Sequence, residues 1–410
     1  MRASDDLRPA LAAPAGKSRV RVFAAAISSM ADRPAAPAAL ALIGALGVVS
    51  FRLLRAAHGD ATLFVMAERA FANPAATPHG LTILPKDGYD GQFYYRLALG
   101  PLNFSHTAFG ITFDNGFRLQ RIGYPALAWL VSAGQASLVP EALIAVNVAA
   151  LTGIAWVGGI FSRDGGRHAL WGVVLAGYFG FVFSLARDTA EPLAAAFLVA
   201  GILANRRGRP VLTGLLFAGA ALTREPALAV PAALALTRLA AMVRRRTGPG
   251  RADLAWVLPA VAFAAWQLTV LAATASLPLR EDTTSNLSFP FEAMFQALHR
   301  NLGNLSIANQ ATDIWMGEFV VLVVVIAQAI ASLRSTEAPA YEKLAFALVV
   351  VMAISLSTAN WSGLSDLRSL DEVFVLAVLV LLGARRRLYP TLCGLMVVLP
   401  WVAAHRALSL

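Results

Sequence analysis

Gly88-Tyr89-Asp90-Gly91-Gln92-Phe93-Tyr94-Tyr95-Arg96 sets one carboxylate between two glycines and beside three consecutive aromatics. A carboxylate placed against a hydroxyl can take its proton, and a positioned general base contributes roughly 10²–10⁴-fold in rate. The flanking glycines leave room for another molecule to approach, and Asp90 also suits the N-cap of a helix starting here. An N-capped interfacial helix without chemistry is the plain alternative. Three more stretches mix acids with arginine: Arg187-Asp188-Thr189-Ala190-Glu191-Pro192, Leu222-Thr223-Arg224-Glu225-Pro226, and the run from Asp366 through Arg368 and Asp371 to Glu372. The planar guanidinium fork matches phosphate oxygens, so Arg224, Arg368 and Arg187 are candidate phosphate binders. The competing reading is local pairing: Arg187 with Asp188 or Glu191, Arg224 with Glu225, Arg368 with Asp366 or Asp371. Asp87, Gln92, Tyr94, Tyr95, Arg121, Asp188, Glu191 and Glu225 complete the set of pocket candidates. Asp188 and Glu191 are hard oxygen ligands of the kind a divalent cation takes, but two carboxylates do not make a site. No cofactor is required by this set. His79, His106 and His299 are too scattered to share a ligand, and no zinc-ligand spacing exists. Trp315 and Trp361 are the two tryptophans placed to stack on a sugar.

These residues must be held by apolar elements. The chain of 410 residues is 58% hydrophobic and only 14% charged, with mean hydropathy +0.63. So few charges cannot coat a globule in water, but they suffice where lipid covers most of the surface. Cys393 is the single cysteine, so an intramolecular disulfide is excluded. The net charge of +10 does not indicate a nucleic-acid partner, because Lys and Arg sit in short clusters between apolar runs. That pattern fits cytoplasmic loops facing anionic lipid. Residues 1–36 read as a disordered basic cytoplasmic arm, and 37–410 as one all-α transmembrane domain. Apolar segments fall at about 37–54, 123–139, 141–162, 168–186, 189–205, 210–223, 226–242, 254–274, 314–333, 343–359, 372–384 and 388–404. The first lacks a cleavage site and reads as a retained helix. Connections at 163–167, 206–209, 244–251, 334–343 and 385–387 hold 14 Lys or Arg, and the alternating set at 187–191, 224–225, 275–313 and 360–371 holds 5. By the positive-inside bias the first set is cytoplasmic. Parity then makes 123–139 a re-entrant or interfacial segment within a large external region 55–140. About eleven spans follow, with a cytoplasmic N-terminus, an external C-terminus and a second external loop at 275–313. Arg52 and Arg55, at the outer end of the first span, are expected to snorkel to headgroups. The aromatics at 93–95 are expected in the interfacial belt. The acids and arginines above all fall on the external side, where ionisable residues near the membrane default to a functional reading.

An Asp-Gly beside aromatics in the first external loop resembles the catalytic-loop aspartate of the GT-C glycosyltransferases, polytopic enzymes that use polyprenyl-phosphate-linked sugars. Arg121-Ile122-Gly123-Tyr124-Pro125-Ala126-Leu127 resembles the aromatic-Pro segment that follows that loop, and 187–192 the second acidic external loop. Thr223-Arg224 is similar to the Thr-Arg element after the next hairpin, and Arg368 to the arginine that meets the donor phosphate. The likeness runs in order over about 37–240, with a weaker echo at 360–384. It implies a sugar transferase of the bacterial inner membrane, mannosyltransferase-like, with Asp90 as base. Its partners would be a polyprenyl-phosphate sugar, membrane lipid and an external glycan, lipid or protein acceptor. Two features depart from the pattern: Tyr-Asp-Gly replaces the Asp-Glu pair of many protein mannosyltransferases, and no large soluble domain follows the apolar segments. A transporter or flippase would instead place charges at the midplane, often in two related halves, and a scaffold would need no converging site.

Overall fold

The computed structural model describes residues 31–281, 286–305, 310–363 and 365–384. Most of the N-terminal arm, the 385–387 cluster, Cys393 and the apolar segment 388–404 lie outside them. Among the described residues fifteen α-helices are present: α1 Ala35–Arg55, α2 Gly91–Leu99, α3 Gly123–Val131, α4 Val139–Asp164, α5 Val173–Ala176, α6 Phe179–Ala186, α7 Glu191–Arg206, α8 Pro210–Thr223, α9 Ala229–Arg245, α10 Leu254–Thr274, α11 Pro278–Glu281, α12 Glu292–Gly303, α13 Gln310–Ser332, α14 Ala340–Ile354 and α15 Asp371–Leu382. Strands are limited to two short pairs, Ala67–Glu68 with Ile83–Leu84 and Thr107–Ala108 with Ile111–Thr112. Phe109 and Gly110 turn the second hairpin with positive φ at both positions, the backbone that a two-residue connection between twisted strands requires.

Among the described residues five helical stretches are long and apolar enough to cross a membrane: Ala35–Arg55, Ala136–Asp164, Glu225–Arg245, Arg251–Thr274 and Ala311–Ser332. The pair 169–176 and 179–186 makes a sixth if counted as one span bent by 58°. Leu40, Ile43, Leu54, Val261, Leu268, Val320 and Ile330 point outward from these helices with a third or more of their surface uncovered. In water that much exposed apolar surface would aggregate; in lipid it is the solvated face. The chain is therefore a membrane-embedded helical protein. Helices α7, α8, α14 and α15 are apolar but only 16, 14, 15 and 12 residues long, under the roughly 20 that a straight span needs. Helix α3, with nine residues, reaches only ~14 Å and cannot cross alone, in keeping with a re-entrant or interfacial 123–139.

Polar contacts sort the connections into two ends. At one end Arg207 pairs with Asp164 at 2.8 Å and Arg206 with Glu342 at 2.5 Å. There too Arg167 donates to the Leu382 carbonyl at 3.2 Å, and the Ala169 amide donates to Asp32 at 2.8 Å. Connections 163–167, 206–209 and 334–343, with the start of α1, thus meet one another. At the other end the segments around 90, 121, 187–191, 224–225 and 366–372 converge.

The first polar region folds as a small packed unit. Gln92, Phe93, Tyr94, Tyr95, Arg96 and Leu97 on α2 are all buried. The expectation of a headgroup belt at 93–95 is therefore overturned: Phe93 packs against Phe71 and Phe113, Tyr94 against Tyr124, and Tyr95 is buried in the same cluster. Arg52 does not snorkel. It is 2% exposed, donates to the Leu63 carbonyl at 3.0 Å and lies over the Phe64 ring. The inward face of α1 is packed on α4 and leaves it no path to headgroups.

Candidate functional site

Asp90 ends the loop that leads into α2, but its side chain makes no capping hydrogen bond. Two arginines hold it instead. Arg118 Nη2 lies 2.9 Å from Oδ1, and Arg368 Nη2 lies 2.6 Å from Oδ2. The helix start is already in right-handed geometry at Asp90, which turns the carboxylate outward, away from the first-turn amides. Burial by itself would raise this carboxyl, but the two guanidiniums outweigh it and hold Asp90 well below the usual carboxylate range. The glycines serve a different purpose from the one expected. A Cβ on Gly91 would sit 2.4 Å from the Arg187 carbonyl oxygen and 2.7 Å from that of Val65. One on Gly88 would meet the Glu68 side chain. Close packing of the protein on itself, not access for a ligand, demands glycine there.

Arg368 stands on the 3-10 turn Asp366–Leu370 and spends each nitrogen on a different acceptor: Nε on Tyr89 Oη at 2.8 Å, Nη2 on Asp90, Nη1 on Glu191. Its expected local partners, Asp366 and Asp371, are not the ones it uses. Arg224 follows α8 in extended backbone and pairs with Asp371 rather than Glu225. Glu191 and Glu372 stand 3.6 and 3.7 Å from the same nitrogen. Glu225 is taken by Arg121 through two bonds of 2.6 and 3.0 Å. Glu191, the first residue of α7, is fully buried; its Oε1 meets Arg368 and its Oε2 accepts from Ser184 at 2.8 Å and Thr189 at 2.6 Å. It ties Arg224 and Arg368, two of the three candidate phosphate binders, to one point.

A cavity of about 550 Å³ opens on this network. Asp90, Arg118, Arg121, Glu191, Arg224, Glu225, Asp366 and Arg368 form its polar end, and Phe117, Phe263, Leu279, Leu287, Met352 and Leu356 its apolar wall. Six of the residues picked out from the sequence thus come together: Asp90, Arg121, Glu191, Arg224, Glu225 and Arg368. Others do not line it. Asp87 is an exposed loop residue with positive φ. Gln92 turns inward and accepts from the Glu68 amide at 3.2 Å. Tyr94 and Tyr95 are core residues, Tyr94 packed edge-on against Tyr124. Arg187 is buried between the Tyr89 and Phe183 rings rather than on the cavity. Asp188 is fully buried off the cavity, with neither carboxylate oxygen hydrogen-bonded among the described residues. Among the described residues no group of three or more His, Cys, Asp or Glu side chains could hold a metal ion. Trp315 and Trp361 are 1% and 3% exposed, Trp315 stacked on Phe319 and donating to the Trp361 carbonyl. Neither offers a face to a sugar. Arg118 and Tyr89 were missed as site residues. The i,i+4 spacing of Asp114 and Arg118 was the available signal, since it anchors a guanidinium with one arm to spare.

No known protein family, curated protein or solved structure matches this chain.

Proposed function

We propose that this protein is a membrane glycosyltransferase of the GT-C kind, moving a sugar from a polyprenyl-phosphate donor to an acceptor on the external face of a bacterial inner membrane. The observation that carries the reading is that Asp90, Arg224 and Arg368, from segments more than a hundred residues apart, line one cavity with an apolar wall. A polar end rich in arginine beside an apolar flank suits an amphiphile with an anionic head. In the reaction the acceptor oxygen forms a bond to the sugar's anomeric carbon. The bond from that carbon to the phosphate oxygen breaks, and its electron pair leaves with the phosphate. Asp90 takes the acceptor's proton, while Arg368 and Arg224 offset the charge growing on the phosphate. The low basicity of Asp90 in its arginine clamp means that the clamp must loosen before it acts. Arg187, off the cavity, carries no donor contact in this scheme. The external placement rests on the charge bias of the loops, and the share of short helices among about eleven spans belongs to the same reading.

The test is transfer from radiolabelled polyprenyl-phosphate sugars in membranes holding the full chain. Arg368→Lys keeps the charge but loses the fork that reaches three acceptors, so donor use should fall at least tenfold. Donor binding that is unchanged in Arg368→Ala, together with no transfer from any donor, rejects the reading.

A further inference from the structure

Both oxygens of Asp90 are occupied, so the base of the proposed reaction is masked in this structure. The groups facing it are Arg118, Arg368 and Arg121, with Glu191 held by the same Arg368 and Asp366 nearby on the Arg368 turn. The two clamping arginines differ in how they are held. Arg118 is anchored by Asp114, through Nε at 3.0 and 3.3 Å and Nη2 at 2.7 Å, and its guanidinium lies over the Phe93 ring. Arg368 divides its nitrogens among Tyr89, Asp90 and Glu191, with its guanidinium over the Tyr89 ring, so giving up Asp90 leaves it still held by Glu191 and Tyr89. Every arginine on the cavity is already matched to a carboxylate: Arg118 to Asp114 and Asp90, Arg121 to Glu225, Arg224 to Asp371, Arg368 to Asp90 and Glu191. An arriving phosphate therefore competes with these carboxylates for the guanidiniums, although single donors such as Arg224 Nε have no acceptor of their own among the described residues. Taking Arg224 strands Asp371, which is fully buried and has one oxygen already unpartnered. Taking Arg121 strips both bonded oxygens of Glu225 at once. An uncompensated buried charge costs several kcal/mol. When Arg368 leaves, Asp90 keeps Arg118, and Glu191, which Arg368 also holds, keeps Arg224 3.6 Å away.

We propose that the anionic head group draws Arg368 off Asp90, and that Arg118, anchored by Asp114, is the positioning residue that keeps the freed carboxylate aimed into the cavity. The donor thus unmasks the base, and must bind before the acceptor's proton can be taken. This rests on the glycosyltransferase reading, and its test separates the two. The probe is methyl dodecyl phosphate, a phosphodiester whose single charge is constant over the working pH range, bound to the full-length chain in detergent. Asp90→Asn frees Arg368 and should bind it roughly tenfold or more tighter than the unmodified protein, the worth of one charge-assisted hydrogen bond. Asp90→Ala should do the same and serves if the Asn variant does not fold. In an Arg368→Ala background the Asp90 change should give no gain. A gain that persists there is plain charge relief and overturns the exchange. If Asp90→Asn binds no tighter while Arg368→Ala loses binding, the exchange is wrong and the phosphate site stands. If Arg368→Ala also binds normally, the phosphate site falls with it. For Arg118, Asp114→Asn should lower kcat of transfer with donor KM unmoved; a parallel change in both marks a merely structural role.

Discussion

Replacing Asp90 by Asn is the sharpest perturbation of the proposed chemistry, because size is kept while charge and basicity go. In the structure Asp90 accepts one bond from Arg118 and one from Arg368. An amide can still accept at its oxygen, but its nitrogen would face the other guanidinium, so one charge-assisted bond is lost, roughly 1.5–3 kcal/mol. Neither arginine is orphaned: Arg118 keeps Asp114 and Arg368 keeps Glu191 and Tyr89. The stability cost should therefore lie at the low end, a melting temperature lower by a few degrees. Transfer should fall by roughly two to four orders of magnitude, the worth of a positioned base. The measurement pairs initial transfer rates with thermal melts of the purified protein. Asp87→Asn is the control. Asp87 is exposed and off the cavity at φ 66°, a conformation that Asn adopts readily, so rate and melt should both hold. Asp90→Asn with full activity and an intact melt would refute the base assignment. Activity lost with Asp87→Asn but kept with Asp90→Asn would move the base by three residues. If both variants stay active, the likeness to glycosyltransferases reports architecture and not chemistry.

Gly91→Ala should destabilise by roughly 1–3 kcal/mol, since the added methyl meets two carbonyl oxygens that belong to backbone and cannot rotate away; an unchanged melting temperature removes the packing role given to this glycine. Arg121→Ala and Glu225→Ala should each cost about 3 kcal/mol by leaving a mostly buried partner uncompensated, and the double variant should cost less than their sum; simple additivity in that cycle argues against the pair. For sidedness, cysteine is introduced at exposed His79 and at exposed Arg163 in a Cys393→Ala background. Gly165 is avoided because a side chain there would strike the Leu382 carbonyl. Impermeant reagent should reach the two from opposite faces, and labelling of both from one face sinks the proposed topology.

Much of the architecture was legible because lipid imposes a coarse rule. Backbone polar groups must be satisfied within the segment, so spans become helices and read as apolar runs. The runs at 37–54, 226–242, 254–274 and 314–333 correspond to α1, α9, α10 and α13 within a few residues. What periodicity could not show is where a run breaks. The 168–186 segment reads as continuous, yet it bends by 58° between α5 and α6. The break lies at Gly177-Tyr178, where Tyr178 donates to the Leu367 carbonyl and so fixes the turn that carries Arg368. A long-range hydrogen bond leaves no mark on local hydropathy.

The site was legible by residue type and not by pairing. Arg187, Arg224 and Arg368 were weighed against their neighbours in sequence, yet Arg224 reaches 147 residues to Asp371 and Arg368 reaches 278 to Asp90; Arg121 reaches 104 to Glu225, and of the cavity arginines only Arg118 takes a carboxylate within four residues. The reason is geometric. Adjacent residues at a helix start point in different directions, so Glu225 turns to Arg121 while Arg224, in extended backbone, faces the bundle interior. Near a low-dielectric core a buried guanidinium must be matched, and the match comes from whichever helix end faces it. Glu191 shows the consequence most plainly. Asp188 and Glu191 read together as two hard oxygen ligands, too few for a cation site, and in the structure Asp188, at positive φ, lies off the cavity that Glu191 lines. Glu191 is left alone among two arginines and two hydroxyls. Glu191 is thus an organiser of arginines through contacts from distant segments, which residue types do not disclose.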